Sequence, residues 1–140
     1  MATQEITQLS PAFIEKNVPI LFSSNDEFVP YMSVMIQSII EHSSSSYNYD
    51  IIVLYSDISA GYKEKLEEIQ RPNFSIRFFD VSPLCKKYQL YTGISDHRLT
   101  REAYYRLFAG QVLSEDYHRA IYCDGDMVAL VDLGQLLDQA

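Results

Sequence analysis

Basic residues are scarce in this chain, and their scarcity excludes one class of partner. The 140 residues contain 11 Lys and Arg against 19 Asp and Glu, which gives a formal net charge of −8 at pH 7. Surfaces that bind nucleic acid or anionic membranes need clustered cations. We therefore expect no nucleic-acid partner, and we expect a polyanionic ligand to need a metal ion or a few well-placed cations.

Cysteine and long apolar runs are also scarce. The only cysteines, Cys85 and Cys123, stand far apart and outside any C-x-x-C pattern, so they indicate neither a zinc site nor a disulfide framework. No apolar stretch approaches the roughly 20 residues that cross a bilayer, so the sequence predicts no transmembrane segment. The amino terminus lacks the basic start and apolar core of a secretory signal, which favours a cytoplasmic protein.

The remaining composition is that of one domain, since the chain is 47% hydrophobic and too short for two domains. Residues 1–17 show no clean period, and we expect them to form an arm or short helix packed loosely on the body. From residue 18 to residue 140, apolar strand-like runs alternate with helical periodicity. This alternation predicts an α/β fold with a Rossmann-like, mostly parallel sheet in the order 3-2-1-4 and helices on both faces.

The individual elements follow from local patterns. A helix capped by Thr100 and running to about Leu113 is predicted to present one stripe of residues at helical spacing. Residues 82–99 read as a long connection, which in a small domain is often functional. The stripe of that helix consists of Tyr104, Leu107, Phe108 and Gln111. Two earlier helices are expected, one over residues 31–42 and one after Ser59. The predicted strands are 18–23, 50–56, 75–81 and a last strand in the apolar run from 119 to 130.

Two carboxylates, Asp124 and Asp126, stand within the last apolar run. An Asp-x-Asp pair alone is weak evidence in an acidic chain, but at the carboxyl end of a strand it presents two hard oxygen ligands. Such ligands suit Mg²⁺ or Mn²⁺ carrying a phosphate. In the order 3-2-1-4, strands one and four are neighbours, so the turn Ser23 to Phe28 is expected to face this pair across a crevice.

Three blocks in order give the chain a resemblance to a known family. They are residues 20–26 (ILFSSND), 101–107 (REAYYRL) and 119–128 (RAIYCDGDMV). With this pattern the chain resembles the nucleotide-sugar-binding half of the family 8 glycosyltransferases, retaining enzymes that include glycogenin and bacterial lipopolysaccharide galactosyl- and glucosyltransferases. The resemblance implies a GT-A-type fold and transfer of a hexose from a UDP-sugar to a carbohydrate, lipid or protein acceptor.

The resemblance also implies roles for particular residues. Asp124 and Asp126 would bind Mn²⁺ or Mg²⁺, and the metal would hold the diphosphate of the donor. Arg106 would reach the sugar and diphosphate, and His97 and Arg98 would border the donor pocket. The remaining donor contacts implied are Ser23, Asn25, Asp26, Phe28 and Gly125, with Asp124 counted among them as well as among the metal ligands.

Each of these roles has a purely structural alternative. Asn25 or Asp26 can simply cap the first long helix, with Phe28 packing beside the cap. Arg106 can be a solvated arginine paired with Glu102 one helical turn earlier. Asp124 and Asp126 can merely end a strand in solvent.

The family's third metal ligand, a downstream His, and its catalytic residues match nothing in this chain. The sequence therefore reads as a truncated half, expected to transfer sugar poorly alone. An uncovered apolar surface and the free edge of strand four predict a homo-oligomer.

Two other functions fit parts of the pattern. A haloacid-dehalogenase-like phosphatase also places an Asp-x-Asp motif after an apolar strand, but that motif normally opens its domain. A non-catalytic binding or assembly module would keep the sheet and UDP affinity without turnover. Transfer or hydrolysis of a sugar donor would separate that module from an enzyme.

Overall fold

Strands and helices alternate along the chain, as the sequence predicts. The computed structural model of the protein describes residues 7–88 and 101–140. In chain order its elements are β1 (Asn17–Ser23), α1 (Val29–Glu41), β2 (Asn48–Tyr55), α2 (Ala60–Glu67), β3 (Phe74–Asp80), α3 (Ser82–Lys87), a 3₁₀ helix (Arg101–Phe108), α4 (Ala109–Val112), β4 (Ile121–Tyr122) and α5 (Leu133–Gln139).

The four strands form one sheet in the order β3-β2-β1-β4, and every neighbouring pair is parallel. The predicted order is therefore confirmed. Because β2 and β3 lie on one side of β1 and β4 lies on the other, the winding direction reverses between β1 and β4. In doubly wound sheets, ligands bind outside the carboxyl ends of the strands at this point of reversal.

Apolar layers cover both faces of the sheet. Side chains alternate between the faces along a strand, so Ile20 and Phe22 of β1 pack in one buried cluster, with α1, while Leu21 packs in the other. The second cluster includes Leu84 of α3 and Tyr105 of the 3₁₀ helix. The continuous apolar runs of β1 and β2 reflect this burial on two sides.

The segment after residue 100 differs from the predicted regular helix. It is a 3₁₀ helix over Arg101–Phe108 followed by the short helix α4. Tyr105 and Phe108 are buried, whereas Leu107, predicted to be on the buried stripe, is 69% exposed. A 3₁₀ helix has three residues per turn, so residues 105 and 108 lie on one side and both rings reach the core.

Strand β4 is shorter than the apolar run that predicted it. Only Ile121 and Tyr122 pair with β1. Beyond the two carboxylates the chain leaves the sheet, and the backbone N–H of Ala129 donates to the Ser38 hydroxyl of α1 at 2.8 Å. The sequence placed the two carboxylates at the carboxyl end of this strand; the strand in fact ends two residues before Asp124, and the apolar segment after the pair bonds to a helix rather than to a neighbouring strand.

Residues 7–16 make specific contacts with the body of the protein. The N–H of Leu9 donates to the carbonyl of Val112 at 2.8 Å, and the N–H of Ala12 donates to the buried carboxylate of Asp50 at 3.1 Å. Among the helices in the described ranges, none is long and apolar enough to cross a membrane.

Candidate functional site

A cleft opens at the carboxyl ends of β1 and β4, where the order of the sheet reverses. Its volume is about 330 Å³. Three parts of the chain form its walls: the end of β1 with the turn after it, the first turn of the 3₁₀ helix, and the segment that runs from β4 into the two carboxylates. The lining residues are Ser23, Phe28, Glu102, Ala103, Tyr122, Asp124, Gly125 and Asp126.

Asp124 and Asp126 come just after β4, separated from it by Cys123, and both side chains are exposed to solvent at the cleft. Within residues 7–88 and 101–140, no group of three or more His, Cys, Asp or Glu side chains forms a candidate metal centre. A pair of carboxylates is nonetheless a donor set that fits Mg²⁺, which commonly uses one or two protein carboxylates and completes its shell with water and phosphate oxygens.

Gly125, between the two carboxylates, lies against helix α1. A Cβ built at this position would be 3.4 Å from the Cβ of Met32 and 3.7 Å from its Cα. The backbone turn that carries the carboxylates therefore packs closely on the helix. Gly125 also lines the cleft, and its predicted contact with a donor stays a prediction.

Ser23 and Tyr122 are joined across the sheet at the cleft. The Tyr122 hydroxyl donates a hydrogen bond to Ser23 Oγ at 2.9 Å. Burial is the main cause that raises the pKa of Tyr122, and the charge of Asp124 raises it further. The hydrogen bond to Ser23 and the charge of Arg106 act in the opposite direction. The net upward shift favours the protonated form of the Tyr122 hydroxyl.

The side chains of Asn25 and Asp26 bond to the protein itself. Asn25 Oδ1 accepts the N–H of Phe28 at 3.1 Å, and Asp26 Oδ1 accepts the N–H of Ser59 at 2.7 Å. Neither residue lines the cleft, whereas Ser23 and Phe28 do. Phe28 is the N-cap residue of α1, and its own side chain makes no capping hydrogen bond. The side chains of Asn25 and Asp26 thus stabilise the turn by hydrogen bonds to the backbone. Their predicted contacts with a base and ribose stay predictions.

Arg106 is exposed on the 3₁₀ helix and does not line the cleft. Its charge nevertheless acts on Tyr122, so it lies near the cleft wall. It forms no salt bridge with Glu102, because the ion pair of Asp50 and Arg77 is the one found within the described ranges. In a 3₁₀ helix, residues four apart are about 120° apart around the axis, so the helical pairing of these two residues does not apply.

Three of the lining residues were not identified from the sequence. The pattern indicated Glu102 only as a partner of Arg106, and it assigned no role to Ala103 or Tyr122. Tyr122 ends β4 two positions before Asp124, and the period-two spacing of a strand is the signal that could have identified it. The predicted contacts His97 and Arg98 and the predicted helix cap Thr100 lie outside the described residues.

Comparison with known proteins identifies the family. The model of the family described as "Glycosyl transferase family 8" matches residues 19–139, which include most of β1, the other three strands and every residue that lines the cleft. The chain belongs to glycosyl transferase family 8, so the resemblance seen in the sequence is confirmed. Curated protein sequences gave no significant match.

Solved structures with the same fold are glycosyltransferases. The bifunctional glycosyltransferase WbbM, in its apo structure, is 34% identical and superposes with a TM-score of 0.77 over 94% of this chain. The galactosyltransferase LgtC, in complex with donor and acceptor sugar analogues, is 22% identical and superposes with a TM-score of 0.70 over 86% of this chain, which shows a common fold. This chain spans 22% of the length of WbbM and 42% of the length of LgtC.

Proposed function

We propose that this domain binds the donor of a hexosyltransferase, a UDP-sugar, through a divalent cation held by Asp124 and Asp126. The observation that carries the proposal is the position of both carboxylates beside Ser23 and Phe28 in one cleft at the point where the sheet order reverses. The proposal includes transfer with retention of the anomeric configuration, as the family resemblance implies.

The charges of the cleft support a cation-dependent site. The lining residues include three carboxylates and no cationic side chain. A diphosphate entering this cleft would meet like charges unless a cation lay between. Mn²⁺ or Mg²⁺ at Asp124 and Asp126 would supply that compensation and would stabilise the negative charge on the departing nucleoside diphosphate.

The shape of the cleft supports a nucleotide ligand. Its volume of about 330 Å³ lies within the range typical of small-molecule sites, roughly 300–1,000 Å³. Phe28 offers an aromatic ring at one wall, and stacking on such rings is a common means of holding a base. Ser23 offers a hydroxyl beside it.

Calorimetric titration of UDP tests the proposal. We expect the unmodified protein to bind UDP with Mn²⁺ and to lose binding in EDTA. Asp126→Asn should weaken binding roughly tenfold or more, because it removes an ionised ligand while keeping the side-chain shape. Asp116→Asn is the matched control, since Asp116 is also exposed and does not line the cleft.

Binding of Mn²⁺ alone, followed by electron paramagnetic resonance, gives a second readout that does not require nucleotide. It should weaken in Asp126→Asn and not in Asp116→Asn. UDP binding that is equal in EDTA, or equal in both variants, would contradict the proposed site. Metal-dependent binding of a UDP-sugar without transfer or hydrolysis would instead favour the non-catalytic module.

A further inference from the structure

The hydrogen bond between Tyr122 and Ser23 links two strands at the wall of the cleft. Tyr122 pairs with Leu21 in the parallel register of β1 and β4. Residues two apart on a strand share a face, so Ser23 lies on the same face as Leu21, diagonally beside Tyr122. The ring packs against the buried cluster that contains Leu21, while the hydroxyl reaches Ser23 Oγ at 2.9 Å.

This bond decides which way the Ser23 hydroxyl points. A serine hydroxyl has one proton to donate and two lone pairs that accept. Tyr122 donates to one lone pair, so the proton of Ser23 is directed elsewhere. Among residues 7–88 and 101–140, no side chain or backbone group accepts a hydrogen bond from Ser23 Oγ.

Tyr122 is the donor in this bond, and Ser23 Oγ is the acceptor. Because Ser23 accepts from Tyr122, its own hydroxyl proton is left to donate into the cleft that Ser23 lines. The groups that would accept from it in a nucleoside diphosphate are oxygens of the phosphates, the ribose or the base.

We infer that Tyr122 is a positioning residue, which orients the Ser23 hydroxyl as a hydrogen-bond donor to a nucleoside diphosphate bound in the cleft. This inference rests on the proposed function, because it assigns a second role within the same site. Tyr122 acts through Ser23 and keeps its ring in the core. Its hydroxyl can therefore be removed without opening a cavity of side-chain size.

The test is a double-mutant cycle measured by titration of UDP in the presence of Mn²⁺. Its members are the unmodified protein, Ser23→Ala, Tyr122→Phe and the double variant. We expect each single variant to raise Kd roughly three- to tenfold, the loss typical of one hydrogen bond. The Kd of the double variant should be no higher than that of the single variant that binds UDP more weakly, because both changes remove the same hydrogen-bonded arrangement.

Tyr47→Phe is the matched control. It also removes a tyrosine hydroxyl that donates a hydrogen bond, to Asp138 at 2.6 Å, and Tyr47 does not line the cleft. Its Kd should equal that of the unmodified protein. Thermal unfolding of every variant provides the readout that separates positioning from folding, because a merely structural role of Tyr122 would lower the melting temperature without coupling to Ser23.

Different results overturn different parts of the argument. If the unmodified protein binds UDP and Tyr122→Phe binds equally well, or if the two single losses multiply in the double variant, Tyr122 does not position Ser23. If the unmodified protein fails to bind UDP with Mn²⁺, the proposed function is itself wrong and the inference fails with it.

Discussion

Replacing Asp50 by asparagine should destabilise the fold more than the same change at an exposed aspartate. Asp50 lies on β2 and is completely buried. One carboxylate oxygen accepts from Arg77 Nη2 of β3 at 2.8 Å, and the other accepts from the Tyr117 hydroxyl at 2.6 Å. The N–H of Ala12 and the amide of Asn17 also donate to it, at 3.1 and 3.2 Å.

The size of the effect follows from what the substitution leaves behind. Asp50→Asn removes the charge that compensates Arg77 and puts an NH₂ group where an acceptor stood. Breaking a buried ion pair costs about 3–5 kcal/mol. The Arg77 side chain is 29% exposed, so water relieves part of the penalty. We therefore expect Asp50→Asn to lower the free energy of unfolding by an amount near the lower end of this range, about 3 kcal/mol.

Urea denaturation at neutral pH measures this loss, and Asp138→Asn is the matched control. Asp138 also accepts a hydrogen bond from a tyrosine hydroxyl, that of Tyr47, but it is exposed. The control should change the free energy of unfolding by less than about 1 kcal/mol. A loss below about 1 kcal/mol in Asp50→Asn would refute the reasoning, because it would mean that the buried carboxylate is not needed to balance Arg77.

Two further predictions concern the region around β4. Burial, with a smaller contribution from Asp124, raises the pKa of the Cys123 thiol to about 11 from its usual 9.0. The protonated thiol therefore stabilises the folded state below pH 9, and this contribution to the free energy of unfolding is lost as the pH rises toward 11. Iodoacetamide at pH 8.5 should accordingly modify Cys123 more slowly in the native protein than in urea, and equal rates would contradict its burial. We also expect self-association, because Val128 and Leu130 are 57% and 78% exposed beside the edge strand β4; light scattering should show a dimer or larger species that Val128→Lys reduces, and a monomer across a wide concentration range would count against this.

Local pattern in the sequence was sufficient for most of the fold. The apolar runs of β1, β2 and β3 predicted these strands to within two residues, because strands buried on both faces carry continuous apolar residues. Alternation with helices limited the topology to a parallel sheet, since right-handed crossovers are nearly obligatory. The pattern failed at the 3₁₀ helix: the predicted stripe assumed 3.6 residues per turn and included Leu107, whereas three residues per turn bury Tyr105 together with Phe108.

The sequence by itself determined that Asp124 and Asp126 stand at the carboxyl end of a strand, and that Ser23 ends another. Order along the chain fixes both facts. Only the tertiary structure decided that Tyr122 reaches Ser23 and that Asp50 faces Arg77. Each of these contacts joins residues on different strands, and such pairs depend on strand register and on the direction of each side chain, which no local pattern contains.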